Sequence, residues 1–230
     1  MTPSIIVSYD DTANDRDALA LGRMLAEAGA SISLAYVRHA QERDDRREAL
    51  EERAAAQLLA NGAVAFGDTT VDRHVIVSAS TGEGLSKLAQ REGADAVVFG
   101  SDYRTAAGHV RPNRSVERLL HGGPVAIAIA PANLRDRGEA AIETIGVRAD
   151  DADPAVYETA EGLAERFDAT VHPAGNGPVD VLVVGSRPEA PHAQVMLSAA
   201  SEYAIETSAS PVLVVPRGTA VKFARPLVLA

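Results

Sequence analysis

Short runs of aliphatic and β-branched residues alternate with helical patterns along the first 130 residues of the chain. The apolar runs predict five strands, at residues 5–8, 32–37, 71–77, 94–100 and 125–130. Four helices are predicted between them, one beginning at a cap formed by Asn14 or Asp15 and three over residues 44–60, 80–92 and 115–121. Strands that alternate with helices in this way predict an α/β fold with a doubly wound parallel sheet.

The later part of the chain repeats three short segments of the earlier part, in the same order. The matching pairs are residues 5–10 (IIVSYD) with 145–150 (IGVRAD), 94–101 (ADAVVFGS) with 179–186 (VDVLVVGS), and 123–128 (GPVAIA) with 210–215 (SPVLVV). Three matches in one order indicate a tandem arrangement of two copies of one unit. Chance similarity between two generic α/β units is the alternative.

The spacing of the matches shows where the second copy is shorter. Asp10 and Asp150 are 140 residues apart, whereas Gly100 and Gly185 are 85 apart, so the second copy is 55 residues shorter over this interval. We interpret the missing part as the long charged helix, the third strand and the helix after it. The predicted division is a full copy at 1–132, a linker at 133–141, a shortened copy at 142–217 and a tail at 218–230. We expect the tail to cover surface that the missing part leaves exposed.

Composition and charge narrow the possible functions. The chain has 230 residues and a formal net charge of −10, which disfavours nucleic acids and anionic membranes as partners. It has no cysteine, which excludes disulfides and thiolate metal sites. The N-terminus lacks the features of a signal peptide, and no apolar run is long enough to cross a membrane, so we expect a cytoplasmic location.

The segment between the fourth strand and the next helix is the most informative part of the chain. It carries four arginines against two acidic residues, namely Arg104, Arg111, Arg114 and Arg118 against Asp102 and Glu117. Asn113 suits a left-handed turn, and Ser115 offers a hydroxyl group and a helix cap. The segment therefore predicts a phosphate cradle, with an ordinary loop of solvated arginines as the alternative.

The predicted topology places this segment beside a crevice at the edge of the sheet. Ligands of an open parallel sheet bind at the carboxyl ends of its strands, where the strand order reverses. The three strands present in both copies are expected to form the centre of the sheet, and the missing part an edge. The crevice should then lie between the strand ends at Asp10 and Gly100.

These residues resemble the nucleotide-binding members of the universal stress protein family. Those members carry an Asp after the first strand and the motif Gly-x2-Gly-x9-Gly-(Ser/Thr) after the fourth. Asp10 and Gly100 match this pattern, Tyr103 and Asn113 occupy the second and third glycine positions, and Ser115 stands one residue late. Val37, at the end of the second predicted strand, matches the apolar position that contacts the base in the family.

The resemblance implies an adenine-nucleotide alpha hydrolase-like fold and a site for ATP, with or without Mg²⁺, or for another adenine nucleotide. It implies that Asp10 accepts hydrogen bonds from ribose or adenine. It also implies that backbone N–H groups from Gly100 through Asn113 to Val116, together with Ser115, hold the phosphates. The second copy has Pro188, Ser198 and Ala199 at the motif positions, so we do not expect it to bind nucleotide.

Other chemistry finds little support in the sequence. There is no complete Walker loop, no nucleophile elbow and no pair of histidines at metal-binding spacing, so we expect no catalytic residue and no metal site. The predicted function is therefore a regulatory stress-response module, with at most slow ATP hydrolysis. Two alternatives stay open: an interaction protein of the same fold that binds no nucleotide, which Tyr103 and Asn113 suggest, and a nucleotide-dependent enzyme.

Expected partners follow from the same reasoning. Besides the adenine nucleotide, we expect a regulatory module of this kind to bind protein partners or to form a homo-oligomer. Because final strands in this family often pair between domains, we expect the strands at 125–130 and 212–215 to join the two copies as an internal pseudo-dimer.

Overall fold

The computed structural model describes residues 2–39, 45–138, 141–175 and 177–223. The first half contains β1 (Ser4–Ser8), α1 (Ala13–Glu27), β2 (Ser31–His39), α2 (Asp45–Phe66), β3 (Asp72–Ser78), α3 (Thr81–Glu92), β4 (Ala96–Gly100), α4 (Arg114–Leu120) and β5 (Ala126–Ala130). These are the strands and helices that the sequence predicts, and the α/β prediction is confirmed. The predicted cap of α1 at Asn14 or Asp15 is wrong, because Thr12 is the cap and forms a capping box with Asp15. No described helix has the length and apolar character needed to cross a membrane.

The second half is shorter and contains fewer elements. After a 3-10 turn at Leu134–Asp136 come β6 (Thr144–Arg148), α5 (Pro154–Phe167), β7 (Thr170–Pro173), β8 (Val181–Gly185), α6 (Ala199–Glu206) and β9 (Val212–Val215). The four-residue strand β7 is absent from the sequence prediction, because it is short and three of its four residues are exposed. Such a strand has no clear apolar pattern.

All nine strands form one sheet in the order β3-β2-β1-β4-β5-β9-β8-β6-β7. Neighbouring strands are parallel except at the centre, where β5 and β9 pair antiparallel with Ala128 opposite Leu213. The predicted pairing of the two final strands is therefore present. The order β7-β6-β8-β9 repeats β2-β1-β4-β5, and α2, β3 and α3 have no counterpart in the described second half. The division into two copies stays a prediction that this order supports.

Helices cover the sheet on both faces. Buried side chains of α1, α2 and α5 share one apolar cluster, which includes Leu21, Leu59 and Leu163. Buried side chains of α3, α4 and α6 belong to a second cluster on the opposite face. The central strands β4, β5, β8 and β9 are buried throughout, as expected for parallel strands covered on both sides.

The segment predicted as a linker is held firmly against α1. The fully buried carboxylate of Asp17 accepts hydrogen bonds from the backbone N–H groups of Asn133 (2.9 Å) and Arg135 (3.0 Å). The guanidinium of Arg135 donates to the same carboxylate at 3.0 Å. One buried side chain therefore fixes the chain where it leaves β5. Residues 139 and 140 of this segment lie outside the described residues.

The first part of the predicted tail packs against α5. The backbone N–H of Gly218 donates to Asp153 at the start of α5, and that of Val221 donates to the hydroxyl of Thr159, both at 3.0 Å. Val221 and Phe223 are buried in the cluster formed with α5. Residues 224–230 lie outside the described residues, and the role of the tail as a cover stays a prediction.

We predict that Val221→Ala lowers the free energy of unfolding by about 2 kcal/mol, because it removes a buried side chain from the α5 cluster. The neighbouring Lys222→Ala is the control, since Lys222 is exposed and makes only a surface ion pair with Glu158 at 3.4 Å. Urea unfolding of both variants measures the difference. Equal stability of the two variants would show that this segment does not pack on α5.

Candidate functional site

A cleft of about 350 Å³ lies at the carboxyl ends of β1, β2 and β4, beside the first turns of α1 and α4. Five of the six residues predicted from the sequence line it: Asp10, Val37, Gly100, Asn113 and Ser115. The sixth, Val116, is fully buried among the residues that pack under α4. Residues that are up to 105 positions apart in the sequence thus meet at one site, between Asp10 and Ser115.

The topology explains why they meet here. From β1 the chain adds β2 and then β3 on one side, and α3 then carries it back across the sheet to β4 on the other side of β1. The strand order therefore reverses between β1 and β4, which pair in parallel with Ile6 opposite Val97. Parallel strands end at the same edge of the sheet, so a crevice opens between them. The predicted position of the crevice agrees with the structure.

Gly100 lets the first turn of α1 approach the end of β4. A Cβ atom at this position would lie 2.1 Å from the backbone oxygen of Asn14. The side chain of Asn14 also donates a hydrogen bond of 2.6 Å to the backbone oxygen of Ser101. Close packing between helix and strand therefore requires a glycine here, independently of any ligand.

The edge of the cleft beside β1 is acidic. Loss of hydration raises the pKa of the Asp10 carboxyl, and the charges of Asp15 and Asp11 raise it further, whereas His39 lowers it. Burial also raises the pKa of Asp15, although that carboxylate accepts 2.9 Å hydrogen bonds from the backbone N–H groups of Asp10 and Thr12. Crowded carboxylates of this kind favour a hydrogen-bond donor or a cation over an anion.

Aromatic side chains form part of the cleft that the sequence analysis did not identify. Tyr9 precedes Asp10, and its ring is buried against α2, where a Cβ atom on Gly62 would lie 2.7 Å from it. Its hydroxyl donates to Asp11 at 2.9 Å, and burial together with this contact raises the pKa of Tyr9 to about 12. Tyr36 and Phe99 also line the cleft. An aromatic residue at each strand end is the only sequence signal that could have identified them.

Asn113 has a different role from the predicted one. Its φ of −83° is extended rather than left-handed, and its side-chain oxygen caps α4 by accepting from the N–H groups of Ser115 (2.9 Å) and Val116 (3.1 Å). The expected left-handed turn at Asn113 is therefore wrong, because an asparagine side chain also satisfies free N–H groups at a helix start. Two of the predicted phosphate donors are occupied by this cap.

The four arginines of the basic segment lie elsewhere. Arg111, Arg114 and Arg118 line a second cavity between α4 and α6, and the Arg104 guanidinium lies over the Tyr103 ring, 4.9 Å from its centre. Among the described residues that line the β1–β4 cleft, none is Arg or Lys. The basic segment thus does not form the predicted cradle with its arginines, because successive side chains of a helix point in different directions.

The matching position in the second half is occupied by the protein itself. Arg217 donates two hydrogen bonds of 2.7 Å to the carboxylate of Asp151, and these bonds lower the pKa of that carboxyl. Arg148 lies 3.2 Å from Asp150. Both acidic residues after β6 therefore have arginine partners within the chain. This arrangement fits the expectation that the second half binds no nucleotide, which stays a prediction.

Comparison with known proteins finds a family match for the first half and similar structures over most of the chain. The model of the universal stress protein family matches residues 1–131. A universal stress protein from Archaeoglobus fulgidus has a similar structure, with a TM-score of 0.69 and 16% identity over 94% of this chain and 98% of that chain. A putative universal stress protein from Pseudomonas aeruginosa has a TM-score of 0.66 and 15% identity over 94% of both chains. No curated protein sequence matches the chain.

Proposed function

The chain belongs to the universal stress protein family, and on that premise we propose that its first half binds an adenine nucleotide in the β1–β4 cleft as a regulatory, non-catalytic stress-response module. The observation that carries this proposal is the meeting of five predicted residues in one cleft. The volume of about 350 Å³ is within the range of small-ligand sites. The cytoplasmic location predicted from the sequence is part of the same proposal.

The cleft offers distinct surroundings for the base and the sugar. Val37 is buried two residues before the end of β2 and lines the cleft with an apolar side chain, which suits the face of an adenine ring. Asp10 is exposed at the end of β1, and its carboxylate is crowded by Asp15 and Asp11. A ribose hydroxyl that donates to Asp10 would relieve part of this repulsion, because it stabilises the charged form. We therefore place the nucleoside between these two residues.

The phosphates require a local rearrangement in this proposal. They would meet the start of α4, where the Asn113 side chain holds the N–H groups of Ser115 and Val116. A phosphate must displace this cap, whereas a nucleoside need not. Mg²⁺ would reduce the repulsion between the phosphates and Asp15 or Asp102, which also line the cleft. The proposed site thus favours the nucleoside part over the triphosphate.

We predict that Asn113→Gly raises the affinity for Mg-ATP by about tenfold and leaves the affinity for adenosine unchanged, because it frees two N–H groups for charge-assisted hydrogen bonds with phosphate. Glycine at a helix cap costs only a few tenths of a kcal/mol in stability. Calorimetric titrations with both ligands measure the ratio. Equal gains for adenosine and Mg-ATP would contradict a phosphate contact at the start of α4.

Titration of the nucleotide-free full chain with adenosine and with Mg-ATP tests the proposed function. We expect saturation with the wild type and its loss in Asp10→Ala, because the variant removes the acceptor for ribose or adenine. Asp72→Ala is the matched control, since Asp72 is an exposed carboxylate at the start of β3 and does not line the cleft. Folded wild-type protein that shows no heat change at millimolar nucleotide would refute the proposal.

A second candidate is an interaction protein that uses the same fold without nucleotide. The cap formed by Asn113 and the acidic side chains around Asp10 are the observations that favour it. The same titration separates the two candidates, because only the first predicts saturation that depends on Asp10. Phosphate release well above background would instead favour the enzyme alternative.

A further inference from the structure

A groove of about 670 Å³ lies between α4 and α6, so it is larger than the β1–β4 cleft. Two contacts between the halves of the chain lie beyond its two ends. At one end the N–H of Val110 donates to the oxygen of Ser208 at 3.2 Å, and at the other His121 forms a β-bridge with Met196. The start of α4 therefore faces the end of α6, and the helices run antiparallel along the groove.

The floor of the groove is apolar and well packed. Leu120 at the end of α4, Leu197 before α6 and Ile205 within α6 line it, and each is at least 93% buried. All three belong to the cluster that covers this face of the sheet. The floor is thus part of the folded core, and only a small part of each of these apolar side chains reaches the groove.

The wall on the α4 side is positively charged. Arg111, Arg114 and Arg118 line it, and Arg114 and Arg118 are one helical turn apart, so they project to the same side. None of these three guanidinium groups forms a hydrogen bond or a close ion pair with any residue that the structure describes, although the charge of Arg118 contributes to lowering the pKa of the Glu83 carboxyl on α3. Like charges at this spacing repel each other and destabilise a helix, so an anionic partner would be favourable.

The wall on the α6 side is negatively charged. Glu202 and Glu206 are also one turn apart, and both line the groove. Glu202 lies 4.0 Å from His121, whereas Glu206 has no hydrogen bond or ion pair within the described part of the chain. The arginines of α4 form no ion pair with these carboxylates, so the groove holds separated charges of opposite sign. Glu117, on α4, adds a third carboxylate to the lining.

We propose that this groove binds a short zwitterionic peptide with an apolar side chain. Its carboxylate would face Arg114 and Arg118, its ammonium group would face Glu202 and Glu206, and its side chain would rest on the apolar floor. A ligand with a single charge is attracted by one wall and repelled by the other, whereas a zwitterion gains from both.

This site is independent of the proposed nucleotide site. Asn113 and Ser115 line the β1–β4 cleft, whereas Arg114 and Arg118 line the groove, so α4 lies between the two cavities. In this proposal the arginines that the sequence predicted as part of a phosphate cradle bind a peptide carboxylate in the groove instead. Failure of nucleotide binding would leave the peptide proposal intact, because no residue of the groove is shared with the cleft.

Calorimetric titration of the full chain with the tripeptide Ala-Leu-Ala tests the proposal. The peptide is used with free termini, with an acetylated N-terminus, and with an amidated C-terminus. We expect saturation with the free form and affinities at least about tenfold lower for each blocked form, since each has lost one of its two charges. A blocked form that binds as tightly as the free peptide would overturn the assignment, as would a wild type that does not saturate at millimolar peptide.

Variants locate the binding to the groove. Arg114→Ala combined with Arg118→Ala should abolish saturation, and Glu202→Gln combined with Glu206→Gln should lower the affinity at least about tenfold. Arg53→Ala on α2 is the control, because Arg53 is an exposed arginine that does not line the groove. Far-UV circular dichroism confirms that each variant is folded. Unchanged binding in the folded double arginine variant would overturn the proposal.

Discussion

Replacement of Gly100 by alanine is expected to lower the free energy of unfolding by at least about 3 kcal/mol, the largest effect that we predict for a single methyl group. The new Cβ would lie 2.1 Å from the backbone oxygen and 2.6 Å from the backbone carbon of Asn14. Neither atom belongs to a flexible side chain, so the first turn of α1 must move away from β4. That movement would also break the hydrogen bond between Asn14 and Ser101.

Two other glycines provide matched controls for this substitution. At Gly185, the match of Gly100 in the second half, a Cβ would lie 2.8 Å from a side-chain methyl of Val156, so we expect a smaller loss than at Gly100. At Gly162, inside α5, the nearest heavy atom would be 3.4 Å away, and alanine is expected to stabilise the helix by about 0.5–1 kcal/mol. Urea unfolding of the three variants should give this order.

The order of these three variants decides what Gly100 does. If Gly100→Ala were as stable as Gly162→Ala, the close approach of α1 to β4 would be refuted. If the expected order holds, packing explains the glycine without any ligand. Loss of nucleotide binding in Gly100→Ala would then result from the displacement of α1 and would not show that Gly100 contacts the nucleotide. For that reason the test of function depends on Asp10, whose side chain is exposed at the cleft.

Replacement of Asp17 by alanine is expected to lower the free energy of unfolding by about 3 kcal/mol. The carboxylate is fully buried and accepts three hydrogen bonds, two from backbone N–H groups of the segment after β5 and one from the Arg135 guanidinium. Alanine would leave those N–H groups without an acceptor and remove the partner of a partly buried guanidinium. The 3-10 turn at Leu134–Asp136 should detach from α1 before the sheet unfolds.

Asp17→Asn and Asp136→Ala complete this experiment. Asparagine keeps one acceptor oxygen and loses the charge. We therefore expect the free energy of unfolding of Asp17→Asn to lie between those of the wild type and Asp17→Ala. Asp136 is exposed, and its ion pair with Arg135 is long, at 3.9 Å, and therefore weak. Its replacement should change the free energy of unfolding by less than about 0.5 kcal/mol. Chemical unfolding measures the free energies, and amide hydrogen exchange at Asn133 and Arg135 reports the local detachment. An Asp17→Ala protein as stable as Asp136→Ala would contradict this account.

Much of the fold could be predicted because the relevant signals are local. Apolar runs bounded by turn residues identify β1 to β5, and the helix predicted over residues 80–92 is α3, whose start is capped by the Ser80 side chain. The position of the cleft also follows, because parallel strands end at one edge and the strand order reverses between β1 and β4. Strand β7 was not predicted, because it has four residues and three of them are exposed, so it has no clear apolar pattern.

The directions of side chains could not be predicted in the same way. Asn113 and Ser115 face the cleft while Arg114 and Arg118 face the groove, although all four are within six residues of one another. A charge count treats such neighbours alike, whereas a helix separates them by 100° per residue. The ion pair of Arg217 with Asp151 likewise depends on where distant segments lie, because 66 positions separate the two residues.

By itself, the sequence determined the class of fold, the order of the elements and which residues stand at the strand ends, because these follow from local periodicity and chain direction. Only the tertiary structure decided that Gly100 serves helix packing, that Asp17 ties the segment after β5 to α1, and that the arginines line a separate groove. The physical reason is that contacts depend on the orientation of side chains and on approaches between segments distant in the sequence, such as Asn14 and Gly100.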